Sequence, residues 1–509
     1  MVMARTLALA VSGVAGQLVE VEADLSSGLP GLTFTGLADV SVVEARDRVR
    51  AAVLNSALEW PNRRITVALL PADVRKVGSR FDLALALAVL AAAKVMPADA
   101  IAGVAWIGEL GLDGRLRPVR GVLPAAVAAR RAGVGRVVVA EGNAAEAALV
   151  AGVEIRSART LGEVVGWLQG EGAAPPLAKA GAEAADARGP DLADIAGQHL
   201  AKRVLEVSAA GGHHLYLLGP PGAGKTMLAQ RLPGLLPPLD DAAALDVTAV
   251  HSVAGRLSHG GHLLRRPPFQ APHHTASVGA LVGGGSGLAM PGAISLAHHG
   301  VLFLDEAPEF NPSALDGLRQ PLEEGRVVLH RSHGPVSYPA RFMLVLAANP
   351  CPCGGRTGEC TCAPGRRRRY RMRLSGPLLD RIDIRLSVDP VSRADLLGEP
   401  ADRESSTDVA GRVTAARAVA AERWHEEGWR TNSEVPGGVL RRRPWRLSSA
   451  ALRAAEAHLD RGDLSARGLD RVLRVAWTLG DLAGHTVPDV DDVAEAVFMR
   501  TGRDPAWAA

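Results

Sequence analysis

Eight residues constrain this chain more than any others: Gly219-Pro220-Pro221-Gly222-Ala223-Gly224-Lys225-Thr226 follow the pattern G-x-x-x-x-G-K-[ST]. Glycines let backbone N–H groups crowd around a phosphate chain. The lysine reaches the β- and γ-phosphates of a nucleotide such as ATP, and the threonine hydroxyl ligates Mg²⁺. The flanks suit such a loop. Leu215-Tyr216-Leu217-Leu218 reads as a buried strand, and Met227-Leu228-Ala229 opens a helix whose N-terminus favours anions. The expected fold class is therefore α/β, with a parallel sheet around the phosphate loop.

Further segments supply the other parts of an ATPase site. Gly300-Val301-Leu302-Phe303-Leu304-Asp305-Glu306 is an apolar run ending in two acids. Buried parallel strands read as continuous apolar runs, and ligands sit at their carboxyl ends. Asp305 is placed to meet Mg²⁺ there, and Glu306 to polarise an attacking water. The run Phe342 to Ala348 ends at Asn349, a polar strand tip suited to sensing the γ-phosphate. Arg381 follows a short helical stretch and precedes a strand-like run. It is a candidate arginine finger for a neighbouring subunit's nucleotide; the alternative is a surface arginine paired to Asp380 or Asp383. In the last third, Leu464 to Gly468 opens a helix continuing through Arg471 and Arg474, from which Arg467 could fold back onto the phosphates.

A length of 509 residues implies roughly three domains. With 47% hydrophobic and 22% charged residues, the composition is that of a soluble globular protein. The net charge of +3 excludes a polycation, so any nucleic-acid site must be a local basic patch. Leu7 to Val11 soon meets Glu20, Glu22 and Asp24, which reads as a strand rather than a signal peptide. No uncharged apolar stretch of about 18 residues stands out, so no membrane-spanning helix is expected and the cytoplasm is the expected compartment. Residues 1–170 alternate strand-like runs (Leu18 to Ala23, Arg64 to Leu70) with helix-like ones (Val42 to Ser56, Phe81 to Lys94). Residues 171–190 read as a flexible linker, 191–390 as the ATPase core and 391–509 as a helical domain.

The 4 cysteines all fall in one segment: Cys351, Cys353, Cys360 and Cys362 form C-x-C, a Gly-rich turn, then C-x-C. That argues against a secreted disulfide framework. Four thiolates suit Zn²⁺, and a redox pair or plain reduced thiols are the alternatives. Arg366-Arg367-Arg368-Arg369-Tyr370 is the most basic run. It is either a solvated face or a phosphate contact with Tyr370 available for stacking. Arg326 to Tyr338 reads as a strand, a turn and a second strand, with Arg331 and His333 at the tip as candidate nucleic-acid contacts, or else as an ordinary surface hairpin. The pair His273-His274 is expected to serve a loop, since adjacent histidines on a strand point apart.

Taken together, the phosphate loop, Asp305-Glu306, Asn349, Leu378-Leu379-Asp380-Arg381 and Ser465-Ala466-Arg467 resemble the magnesium-chelatase-like branch of the AAA+ ATPases. Ala271-Pro272-His273-His274-Thr275-Ala276-Ser277, Leu281-Val282-Gly283-Gly284-Gly285, Asn349-Pro350-Cys351-Pro352-Cys353-Gly354, Gly36-Leu37-Ala38-Asp39 and Pro71-Ala72-Asp73 narrow the resemblance to the ComM/YifB family, almost end to end. The resemblance implies an α+β Lon-protease-like first domain, an AAA+ core and a helical lid. It also implies a self-assembled ring, a homo-hexamer, that hydrolyses ATP with Mg²⁺. The implied role is a DNA helicase promoting branch migration in natural transformation, beside recombination proteins and away from membranes. Arg381 then carries over as the finger acting in trans and Arg467 as the sensor-2 arginine. A chelatase-like motor acting on a protein partner, or a protein-binding regulator, is the alternative. Lon-type proteases use a serine–lysine dyad. Here Arg80 stands in the serine place, with Ser79 one position early, and Leu123 stands in the lysine place. The first domain is therefore expected to be a retained, non-catalytic fold.

Overall fold

The computed structural model describes residues 2–502 apart from 37–38, 182–188, 258–260, 286–288, 332–333, 355–359 and 398–402. The N-terminal third is built on a long antiparallel hairpin, Val2–Ser12 with Ala15–Ser26. Along the second strand Val19, Val21, Ala23 and Leu25 are buried while Glu20, Glu22 and Asp24 alternate with them. That period of two sets one face toward the core. The seven-stranded sheet runs Gly31–Thr35, Arg64–Leu70, Ala15–Ser26, Val2–Ser12, Val104–Ile107, Arg136–Ala140, Glu154–Ala158. Every residue of the helix Asp82–Ala92 is buried, as its almost unbroken apolar sequence requires.

The second sheet is five-stranded and wholly parallel, in the order Phe269–Gln270, Val301–Leu304, Met343–Ala348, Leu215–Leu218, Ile384–Ser387. All residues of its three central strands are buried, because both faces are covered. The strand Met343–Ala348 lies between the two strands that precede the phosphate loop and the acidic pair. This order brings three loops to one edge. It could not be read from chain order, in which that strand comes after both.

The C-terminal region is helical: Ser406–Arg423, Ser449–Asp460, Ala466–Ala483 and Val490–Thr501 are its longer members. Its buried residues, Trp424 and Trp477 among them, form one hydrophobic cluster with Leu215, Leu217 and Val301 of the parallel sheet. The lid and one face of the sheet thus share a core.

The first domain also packs firmly on the ATPase core. Leu9, Val11 and Val122 cluster with Ala249 and Val253 of the helix Asp241–Val253 and with Tyr338 of the hairpin Arg326–Arg331/Gly334–Pro339. At Gly13 a Cβ would lie 2.4 Å from the Ser337 carbonyl oxygen, so the hairpin passes directly against the turn of the first domain. The segment read as a flexible linker is held along part of its length: the Ser157 N–H donates to Pro176 and the Ala178 N–H to Ile155, extending the sheet edge. The reason is backbone pairing, which no composition signal reports; residues 182–188 lie outside the described residues. Among the described residues no helix is long and apolar enough to cross a membrane.

Candidate nucleotide site

Gly222 and Gly224 hold φ of +77° and +90°, a region that glycine enters without steric cost. Gly219 has no room for a side chain, since a Cβ would meet the Val388 carbonyl oxygen at 2.3 Å. The helix Lys225–Leu235 begins directly at the loop's end. Lys225 is 8% exposed, and its ammonium donates to the carbonyls of Gly219 (2.7 Å) and Pro220 (2.9 Å) and to Asn349 Oδ1 (3.1 Å). Burial pushes its pKa down, while Asp305 and Glu306 oppose that shift. The Thr226 hydroxyl donates to Asp305 Oδ2 at 2.7 Å. Glu306 occupies left-handed backbone, φ +50°, and its N–H donates to Asp305 Oδ1 at 2.9 Å. Such a conformation in a non-glycine residue costs roughly 1–2 kcal/mol and turns the acidic pair around the strand tip.

Lys225, Thr226, Asp305, Glu306 and Asn349 therefore converge from three adjacent strands. A hydroxyl and a carboxylate in contact are the hard oxygen donors that Mg²⁺ prefers, and a buried ammonium whose partners are neutral oxygens is suited to phosphate. The residues present fit a magnesium–nucleotide pair.

Other sequence candidates lie elsewhere. Arg381 is paired to neither Asp380 nor Asp383: its guanidinium bonds Glu323 and donates to the Pro377 carbonyl at 2.6 Å. Asp383 is instead buried against Arg471 of the lid helix, 3.2 Å away. Arg467 sits exposed on that helix's first turn, with no hydrogen bond or ion pair to the phosphate loop among the described residues. Arg366, Arg367, Arg368 and Arg369 are exposed on the helix Pro364–Arg371. Tyr370 on that helix is not available for stacking. It is 5% exposed, and the Asn349 backbone amide hydrogen-bonds its phenol. A helix with four consecutive arginines turns its lone aromatic inward because that is the apolar group it has to bury. Arg331 is half-buried near Gly284, and His333 lies outside the described residues. The four cysteine sulfurs lie within 4.8 Å of one another.

His273 and His274 do not point apart. They sit in a loop, their ring centroids are 4.1 Å apart, and His274 Nδ1 approaches Glu306 Oε2 at 3.2 Å. Sequence reasoning missed that contact, although a positive-φ acid beside a paired histidine loop is the kind of geometry functional sites favour. It also missed Gln198, whose amide donates to the carbonyls of Ala223 (3.3 Å) and Asp389 (2.6 Å) and so ties the phosphate loop to the end of the sheet. In the first domain Arg80 is 6% exposed and donates to the Arg120 carbonyl at 3.1 Å, while Ser79 bonds Glu109. The two segments that would carry a serine–lysine dyad do meet, with an arginine and Leu123 in its place.

A parallel sheet with this loop, acidic strand tip and helical lid defines an AAA+ ATPase, here with a Lon-protease-like domain in front. Family models described as magnesium chelatase, subunit ChlI, match residues 191–396; subunit ChlI of Mg-chelatase, residues 21–143; and the ChlI C-terminal region, residues 403–500. The chain is 54% identical over 505 residues to an uncharacterized protein of Mycobacterium tuberculosis, 99% of each chain being covered. It is 42% identical over 494 residues to the competence protein ComM of Haemophilus influenzae, covering 96% of this chain and 95% of that one. It is also 42% identical over 496 residues to YifB of Escherichia coli, 96% of each. The first part is similar to Lon protease of Mycolicibacterium smegmatis, 34% identical over 143 residues, 26% of this chain and 18% of that one. The chain belongs to the ComM/YifB family of magnesium-chelatase-like AAA+ ATPases.

Proposed function

We propose that this protein is a ring-forming, Mg²⁺-dependent ATPase that moves on DNA and drives branch migration of recombination junctions in the cytoplasm. The observation that carries the reading is the convergence of Lys225, Thr226, Asp305, Glu306 and Asn349 at one sheet edge. A relative of 42% identity that is named a competence protein supports the DNA setting. Thr226 and Asp305 would hold Mg²⁺, which when bound would supply positive charge against the phosphates. Lys225 binds the phosphates, with Gly219, Pro220, Pro221, Gly222, Ala223 and Gly224 shaping the loop around them. Glu306 leaves His274 to polarise the attacking water, and Asn349 orients it. Arg381 exchanges Glu323 for the nucleotide of the next subunit in a homo-hexamer, and Arg467 closes on the phosphates from the lid. Arg331, His333 and Arg366 to Arg369 contact the DNA backbone.

The test is the ATPase rate with no DNA, single strand, duplex and four-way junction at stated salt. Stimulation greatest with the junction is expected. Robust hydrolysis indifferent to every DNA overturns the DNA motor and favours the second reading, a chelatase-like motor on a protein partner. The buried packing of the first domain on the core gives that reading its own observation, a route from nucleotide state to a protein-binding domain.

A further inference from the structure

Cys351 follows Asn349 by two residues, and Cys362 lies two residues before the helix Pro364–Arg371. All four sulfurs converge. Cys351 Sγ lies 3.0 Å from Cys353 Sγ and 3.3 Å from Cys360 Sγ, and Cys353 to Cys360 is 3.6 Å. With Cys362 the four stay within 4.8 Å. Zinc–sulfur bonds of about 2.3 Å place tetrahedral neighbours about 3.8 Å apart, so one metal ion fits the cluster. A disulfide requires sulfurs about 2.05 Å apart, and none of the four cysteines forms one. An iron–sulfur cluster, with several metal ions at its centre, would hold its thiolates farther from one another.

The surroundings show what such a site would brace. Gly354, at φ +70°, is pressed against the phosphate loop: a Cβ there would lie 2.7 Å from Pro221 Cγ. Cys351 is 1% exposed, and Tyr370, on the helix after Cys362, bonds the Asn349 amide. A tetrathiolate around a divalent ion carries a net charge of about −2, and the arginines at 366–369 follow directly to offset it.

We propose that Cys351, Cys353, Cys360 and Cys362 bind one Zn²⁺ as a structural tetrathiolate, and that this knuckle holds Asn349 and the basic helix in place against the phosphate loop. Soft thiolates select zinc over the Mg²⁺ of the nucleotide site, so the two metals do not compete. The consequence for hydrolysis rests on the ATPase reading above; the metal site does not.

The test begins with the full-length chain purified in reductant without chelator. About one zinc per chain is expected, with the four thiols unreactive to a thiol reagent until a mercurial releases the metal. Replacement by Co²⁺ is expected to give thiolate-to-metal charge-transfer absorption. The double substitution Cys360→Ser/Cys362→Ser is expected to lose the metal. Because that variant can misfold, metal is also stripped from the wild-type chain and restored with reductant and Zn²⁺. A chain free of transition metal with four freely reacting thiols, or one isolated with a disulfide among these cysteines, overturns the site. For the bracing, turnover is expected to fall about 10-fold on stripping and to return with Zn²⁺, as other residues that orient functional groups do. Metal loss with kcat and KM for ATP unchanged overturns the bracing and leaves the site. A wild type that binds zinc but never hydrolyses ATP defeats the ATPase reading alone.

Discussion

Replacing Arg471 by methionine tests whether the lid and the finger segment are joined through one buried charge. Asp383 is 1% exposed and faces three partners: Arg471 at 3.2 Å, the His214 N–H at 2.9 Å and His213 Nδ1 at 3.9 Å. Burial alone would raise the Asp383 pKa, yet Arg471, His213 and His214 hold it well below the usual carboxylate range. Removing one member of a buried pair costs about 3–5 kcal/mol because the other charge is left uncompensated. The Arg471 side chain is 22% exposed, so the lower end applies, about 3 kcal/mol. At 2–4 °C per kcal/mol, the ATPase-core transition in a fluorimetric melt should fall by about 6–12 °C. Asp383→Asn alone should cost less, about 1 kcal/mol, since Arg471 can reach solvent and the amide oxygen still accepts from His214. The double variant should recover most of the loss, with a coupling above about 1 kcal/mol. A shift under about 2 °C for Arg471→Met, or strict additivity in the double variant, would refute the reasoning. ATP turnover should fall with Arg471→Met beyond what unfolding explains, since Asp383 lies two residues from Arg381.

Glu306→Gln keeps the side chain's shape and removes its charge, so ATP should still bind while turnover drops about 10²–10⁴-fold in a steady-state assay; unchanged hydrolysis would remove Glu306 from that role. His274→Ala should free Glu306 and raise basal hydrolysis a few-fold, and a rate equal to wild type would make the contact inert. His213 is buried and His214 half-buried, and desolvation holds both neutral, their pKa pushed down to about 4 from 6.5. Their stabilisation is present above pH 6.5 and is lost as pH falls toward 4, because the unfolded chain binds protons that the folded one refuses. Between pH 7 and pH 5 that costs about 2 kcal/mol per histidine, visible as a lower melting temperature, and a flat profile would contradict it. Gly13→Val should clash with Ser337 and strain a φ of +61°. Faster proteolysis between the first domain and the core should follow, and unchanged cleavage would mean the contact carries no load.

Elements whose pattern is contiguous were legible from residues alone. The apolar runs before Gly219 and Asp305, the strand at Arg64–Leu70 and the hairpin ending near Tyr338 appear where periodicity and turn chemistry put them. Each depends on neighbours in sequence. The pairings were not legible. Glu323 lies 58 residues from Arg381, and Glu306 lies 32 from His274. Any of several charged residues could have supplied such a partner. Tyr370 was misjudged because its arginine neighbours describe the helix's exposed side and say nothing of what that helix lies against.

The sequence by itself determined the phosphate loop, the acidic strand tip and the class of core they require. Those features are local, and the chemistry of phosphate and Mg²⁺ admits few residue types at each position. Only the tertiary structure decided that the Asn349 strand lies between the other two, that the first domain grips the hairpin at Gly13 and that Gly354 of the cysteine segment lies against Pro221. Strand order, docking and convergence are set by how buried faces and distant backbone groups satisfy one another. No short stretch of residues encodes that choice.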